Sequence, residues 1–181
     1  MKDERYYNAY FTHNHISRRG LFRALLGGGQ KAHLQNQADL LKKSAARPPF
    51  AVAELLFLKQ CNGCGDCVKA CPYGLILLKD NQASIEIDFS ACDLCGECAN
   101  VCQTGALALN TKPDTGLRPE FDFACLRQHN QPCQFCETAC PQQAISFNSS
   151  TKKMQLDNEK CNGCGECKVA CPQNYVSLQL A

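Results

Sequence analysis

The chain has 181 residues, 16 of them cysteine, with 45% hydrophobic and 20% charged residues and a formal net charge of +2. A cysteine content this high belongs to disulfide scaffolds or metal proteins, not to an ordinary enzyme core, and the apolar content excludes wholesale disorder. No run of about 18 apolar residues exists, so no membrane span is expected, and one or two domains this small need bound metal to help hold them together.

Residues 1–50 contain no cysteine and read as a basic N-terminal arm. Nine Lys/Arg against three acidic residues give it +6, whereas residues 51–181 carry ten basic and fourteen acidic residues, giving −4. Ser17-Arg18-Arg19-Gly20-Leu21-Phe22-Arg23 has to be weighed as a twin-arginine export signal. Arg23 interrupts the apolar stretch such a signal needs, Gly27-Gly28-Gly29 ends it, and no convincing small-residue cleavage site follows. The other reading is a short amphipathic helix with Ser17 as N-cap and Leu21, Phe22, Leu25 and Leu26 on one face. Such a helix docks on an acidic partner or packs on the acidic remainder of its own chain. His13 and His15 lack further ligands nearby and read as solvated. The arm holds no recognised nucleic-acid reader and the remainder is acidic, so no nucleic-acid partner is expected.

Residues 51–112 form the first expected unit. An apolar run at Leu55–Leu58 predicts a strand paired with Ala106–Leu109, and Leu75–Leu78 with Ser84–Ile87 predicts a hairpin turning over Lys79–Ala83. Between them lie two motifs of one spacing, C-x2-C-x2-C-x3-C: Cys61, Cys64, Cys67, Cys71, then Cys92, Cys95, Cys98, Cys102. Asn110–Pro119, with two prolines, a glycine and no apolar pattern, predicts a linker.

Residues 113–181 repeat the plan. Phe121–Phe123 is expected to pair with Val176–Leu180, and Ala144–Phe147 with Met154–Leu156 across a polar turn at Asn148–Lys153. Cys161, Cys164, Cys167 and Cys171 keep the spacing; the third motif is widened to C-x7-C-x2-C-x3-C at Cys125, Cys133, Cys136 and Cys140. A shift of 69 residues places seven of the first eight cysteines on later ones; Cys61 alone lands on a non-cysteine, Asn130, and Cys125 is the spare. Two tandem units of β-α-β-β-α-β order follow, an α+β fold of bacterial two-cluster ferredoxin type.

The spacing belongs to the bacterial [4Fe–4S] cubane, whose four irons each need a thiolate. Disulfides would need an oxidising compartment, and zinc, satisfied by two C-x2-C pairs, would leave the third cysteine of each run unexplained. Gly63, Gly65, Gly96, Gly163 and Gly165 sit where close backbone approach or positive φ is easiest without a Cβ. Third and fourth cysteines, four apart, share one face of a short helix, so the fourth can reach a second cluster. That swapped ligation predicts the sets Cys61/Cys64/Cys67/Cys102, Cys92/Cys95/Cys98/Cys71, Cys125/Cys133/Cys136/Cys171 and Cys161/Cys164/Cys167/Cys140, sixteen metal-binding cysteines and four clusters in all. His129 lies inside the widened loop as an alternative ligand to Cys125, against the simpler reading of a solvated histidine.

Three regular motifs and one widened third motif, with Ser17-Arg18-Arg19-Gly20 and Arg47-Pro48-Pro49-Phe50 ahead of them, resemble the NapF family, the ferredoxin-type proteins of periplasmic nitrate reductase systems. The resemblance spans nearly the whole chain; Gln103 after Cys102, where the other motifs have proline, is a local departure. It implies a cytoplasmic protein that binds a NapA-like nitrate reductase catalytic subunit before export and takes part in its maturation. The rival reading is a general electron-transfer relay between redox partners. Four fully cysteine-ligated clusters with no open coordination position argue against an enzyme.

Overall fold

A computed structural model describes residues 43–181. The expected helix at Ser17–Leu26, His13 and His15 lie outside the described residues. Among those described, no helix is long and apolar enough to cross a membrane.

The last residues of the expected arm are built into the body: Arg47, Pro48, Pro49 and Phe50 are buried. Next to them the chain makes a short antiparallel contact, with Ala51 bridged to Leu107, Val52 N–H donating to Ala106 O (3.1 Å) and Ala108 N–H to Phe50 O (2.9 Å). Residues 55–58, expected to be the strand in this pairing, lie instead in a helix, α1, Glu54–Gln60. A run of four apolar residues fits either structure. What decides is the spacing of its two buried residues, Glu54 and Phe57, three apart on one helical face, while Leu55, Leu56 and Leu58 are left exposed. The outer pairing is therefore made by residues 50–52, one segment earlier.

After α1 come α2 (Asp66–Ala70), β1 (Ile76–Lys79), β2 (Gln82–Ile85) and α3 (Glu97–Asn100). The hairpin pairs Ile76 with Ile85 and Lys79 with Gln82, so its turn is Asp80-Asn81, both at positive φ (50° and 63°). Asp and Asn tolerate that conformation, which matches the twist of a two-residue hairpin turn.

In the second half the order is β3 (Leu117–Phe121), a 3-10 turn (Leu126–His129), α4 (Phe135–Thr138), β4 (Ile145–Asn148), β5 (Lys153–Leu156), α5 (Glu166–Val169) and β6 (Val176–Leu180). β4 and β5 form the expected hairpin. β3 pairs antiparallel with β6 from Leu117↔Leu180 to Phe121↔Val176. Two expectations are corrected here. The strand ends at Phe121 rather than running on to Phe123, which is exposed, and it begins inside the supposed linker. Pro119 does not prevent this, because β3 has a partner on one side only. Nor are residues 114–115 loose: Thr115 is fully buried.

Three apolar clusters hold these pieces. Phe50, Phe57, Ile76 and Leu107 surround Cys67 and Cys98 in the first, and Ile145 and Val176 surround Cys136 and Cys167 in the third. The second joins Leu75, Ile85 and Ile87 to Leu117 of the second half. Each fully buried aliphatic or aromatic side chain contributes about 1.5–3 kcal/mol. With so few of them, the cysteines are themselves part of the core.

Candidate metal centres

The three regular motifs are built alike. The residue after the first cysteine accepts, through its side-chain oxygen, the N–H of the second: Cys64 to Asn62 (3.2 Å), Cys95 to Asp93 (3.0 Å), Cys164 to Asn162 (3.2 Å). Positive φ then recurs twice, at Gly63, Leu94 and Gly163 and again at Gly65, Gly96 and Gly165, which open α2, α3 and α5. These bends curl the loop so that its first three cysteines face a common space. Leu94 adopts φ 61° where the other motifs use glycine, a strained position the sequence does not announce.

Each short helix stops before its fourth cysteine. The same is true of α3, which has no proline after Cys102, so the Gln103 departure leaves helix termination unchanged. Backbone donors meet three of these fourth sulfurs: Leu107 N–H to Cys102 Sγ (3.4 Å), Ala144 N–H to Cys140 Sγ (3.3 Å) and Tyr175 N–H to Cys171 Sγ (3.3 Å). Such donors orient the sulfur and tune any metal it holds. They come from the segments just after each helix and carry no residue signature, which is why the sequence did not reveal them.

Tertiary packing brings the fourth cysteine of one motif to the first three of its neighbour. Cys61, Cys64, Cys67 and Cys102 line one cleft, and Cys71, Cys92, Cys95 and Cys98 line another. In the second half Cys140 lies close enough to Cys161, Cys164 and Cys167 for its charge to bear on all three. Cys136 feels Cys125 and Cys133 in the same way, and Cys171 joins it in one apolar cluster.

Burial pushes the Cys67 thiol up to about 11, with Cys61, Cys64 and Cys102 adding to the effect. Burial likewise lifts Cys98 and Cys167 to about 12, and Cys92 and Cys136 to about 11. Four thiolates in such a space need compensating positive charge at their centre, which is what iron supplies. Cys102 is the exception: burial raises it, but hydrogen bonding by Thr104 and Leu107 outweighs burial and holds it below the ordinary thiol value. Among the described residues no three His, Cys, Asp or Glu side chains converge tightly enough for a single metal ion. Four thiols spread around each first-half cleft match the donor set of a cubane, one thiolate for each iron.

The widened third motif takes a different route to the same end. It has Pro132 in place of the first positive-φ residue and Gln134, at φ −140°, in place of the second. The extra residues are taken up by the 3-10 turn, which Cys125 opens; Cys125 is buried, with its N–H donating to Asp122 O (3.1 Å). His129 is exposed and its Nε2 donates to Phe123 O at 2.8 Å, which commits that nitrogen to the backbone. Arg127 stacks on Phe147 (4.8 Å), with its Nε buried and unpartnered.

A family model described as a 4Fe–4S dicluster domain matches the chain twice, at residues 60–106 and 131–175. Cys125 falls outside both matches, as its displacement from the regular spacing would require. An uncharacterized protein of Haemophilus influenzae is 53% identical over 166 residues, covering 92% of each chain. The ferredoxin-type protein NapF of the same organism is 32% identical over 137 residues, covering 73% of this chain and 77% of its own. The methylamine utilization ferredoxin-type protein MauM of Paracoccus denitrificans is 28% identical over 181 aligned residues, covering 87% and 80%. Two dicluster domains and sixteen cysteines in this spacing make four [4Fe–4S] clusters.

Proposed function

The chain belongs to the NapF-like family of ferredoxin-type 4Fe–4S proteins, and on that footing we propose that it is a one-electron accessory protein for a larger redox enzyme. Its clusters are held by the four swapped sets: Cys61/Cys64/Cys67/Cys102, Cys92/Cys95/Cys98/Cys71, Cys125/Cys133/Cys136/Cys171 and Cys161/Cys164/Cys167/Cys140. The observation that carries this reading is the gathering of Cys102 with the first motif and Cys71 with the second, each fourth cysteine standing in its neighbour's cleft. A bound cubane supplies one-electron reduction and oxidation; the surrounding chain holds its thiolates, shields them with Phe57, Ile76 and Leu107, and directs N–H donors at their sulfurs. Every set is complete in cysteine, which leaves no coordination position for a substrate and supports a carrier rather than an enzyme.

The partner is a NapA-like nitrate reductase catalytic subunit, met in the cytoplasm before export and matured there with electrons from this protein. The identity to a protein named NapF supports this reading. The test is copurification of the affinity-tagged full chain from anaerobic cytoplasm in cells expressing the leader-bearing catalytic subunit. Retention of the precursor is expected; its absence from the eluate, with all clusters present, sinks this choice of partner.

A second reading, a relay to a different redox system, has an observation in its favour. One Haemophilus strain carries both a NapF and the separate protein to which this chain is 53% identical. The likeness to MauM also extends the family beyond nitrate reduction. Copurification with an unrelated oxidoreductase in place of the nitrate reductase precursor would select it.

A further inference from the structure

The fourth motif is held unlike the others. Cys164 and Asn162 are buried at 9% and 8% exposure, whereas Cys64 and Cys95, at the same motif position as Cys164, are exposed. The difference comes from the first half and from Thr115. Three successive carbonyls of the loop accept hydrogen bonds: Asn162 O from Thr115 N–H (3.0 Å), Gly163 O from the Thr115 hydroxyl (2.8 Å), and Cys164 O from Cys92 N–H (2.8 Å). Thr115 is anchored in turn, its carbonyl accepting from Arg47 N–H at 3.1 Å and its hydroxyl from Leu117 N–H at 3.2 Å. On the far side of the loop, Lys168 Nζ donates to Ile87 O (2.7 Å) and pairs with Asp88 (2.8 Å). A Cβ on Gly165 would collide with Ile87. The junction is thus closed from both sides.

Cys92 and Cys164 belong to different halves, and the hydrogen bond joins their backbones directly. Taking the ligand sets proposed above, this makes one path, from Cys92 sulfur through its own backbone N–H, across to the Cys164 carbonyl and out to the Cys164 sulfur. We infer that this bond is the electron-transfer step between the two halves, so that all four clusters form one continuous chain, and that Thr115 is the positioning residue that holds the step in register. One electron crosses: the cluster on the donor side is oxidised by one electron, its neighbour is reduced by one, no bond breaks and no proton moves. Dithionite supplies the electron in the test below. Within each half the fourth-cysteine exchange already couples two clusters; without this junction the protein would be two separate carriers.

The experiment isolates the junction. In the full chain, Cys61→Ala with Cys64→Ala and Cys125→Ala with Cys133→Ala remove two ligands from each outer set and none from the inner two. Analysis should then return about eight irons per chain. Electron paramagnetic resonance of the dithionite-reduced protein is expected to show a spectrum split by spin–spin interaction between the two remaining clusters. Two unsplit, independent signals at that iron content would overturn the inter-half step while leaving the ligand sets standing. Iron well below that content, in a chain whose circular dichroism matches the native protein, would overturn the ligand sets and the step with them. Because four substitutions risk misfolding, the intact holoprotein supplies a second measurement. Thr115→Val keeps the shape and the N–H but removes the hydroxyl. It is expected to retain all four clusters while the microwave power needed to saturate the reduced signals falls severalfold, with Thr115→Ser restoring it. A purely structural role would leave saturation unchanged at full iron content, and that result overturns the assignment of Thr115.

Discussion

Arg47→Ala should loosen the first cluster cleft from a distance. Arg47 is 2% exposed and Glu54 5%, and they pair at 2.7 Å between Nη2 and Oε1, with Nε a further 3.2 Å from Oε2. The guanidinium also donates to Ala83 O (3.1 Å), to Gln82 Oε1 (3.2 Å) and to Ser44 Oγ (3.1 Å), and lies 4.6 Å from the centre of the Phe57 ring. Phe57 and Ala83 line the cleft of Cys61, Cys64, Cys67 and Cys102. Removing Arg47 leaves the buried Glu54 carboxylate without its counter-charge and with only the Ser44 N–H and hydroxyl as donors, which costs about 3–5 kcal/mol, and orphans the Ala83 carbonyl for roughly 1–3 kcal/mol more. The two losses share a site and do not add fully, so about 4–6 kcal/mol is expected, a large part of a stability of about 5–15 kcal/mol. The assay is the rate at which visible cluster absorbance bleaches in excess chelator. At about 1.4 kcal/mol per factor of ten, opening by even half that loss speeds bleaching by roughly 30-fold or more. Arg47→Lys keeps the charge but not the fork and should fall between.

The pair has a pH signature as well. Burial pushes the Glu54 carboxyl up, but hydrogen bonds from Arg47 and Ser44 outweigh it and hold Glu54 below the ordinary carboxylate value. A depressed folded value stabilises above the unfolded one and loses that contribution as pH falls through the folded value. The native protein therefore loses a stabilising contribution in acid that Arg47→Ala lacks already, so the two bleaching rates converge as pH falls. Equal rates at neutral pH would refute the reasoning.

Three further outcomes follow from the sites. Cys125→Ser should lower iron from about sixteen to about twelve per chain while His129→Ala leaves it unchanged, by iron and acid-labile sulfide analysis; the reverse pattern would exchange their roles. Gly165→Ala should destabilise more than Gly96→Ala: both glycines sit at positive φ (87° and 83°), but the new methyl meets buried, β-branched Ile87 in one case and the movable end of half-exposed Leu109 in the other. Equal midpoints in thermal unfolding of the two holoproteins would contradict this. Chelation of iron should abolish the cooperative thermal transition, since Cys67, Cys98, Cys136 and Cys167 are core residues and burial disfavours their bare thiolates. A transition of undiminished sharpness would mean the apolar clusters suffice alone.

Much of this protein is legible in one dimension because cluster chemistry is written in local spacing. Three thiolates around a cubane must come from one tight loop, and the positive-φ turns that bend it have a residue, glycine, that marks most of them. Hairpins are equally local: short apolar or β-rich runs on either side of Asp80-Asn81 place β1 and β2 within a residue or two of their true limits. The doubled motif order, the 69-residue shift and the displaced Cys125 need only counting. Residues 55–58 are four apolar residues in a row and carry no period; the helix is decided by buried Glu54 and Phe57, three apart on one face, with Arg47 reaching across to hold Glu54. The strand at Leu117–Phe121 was hidden by its own proline and by a polar approach that resembles a linker. Thr115 was invisible for the same reason: a threonine between prolines means nothing until its hydroxyl meets Gly163 O. Local chemistry thus dictates which residues bend and which sulfurs converge within a loop, because those constraints act over a few covalent bonds. Which loop is exposed, which is clamped, and whether two pairs of clusters meet depend on carbonyls and methyl groups brought together from distant segments, and only the folded chain supplies those partners.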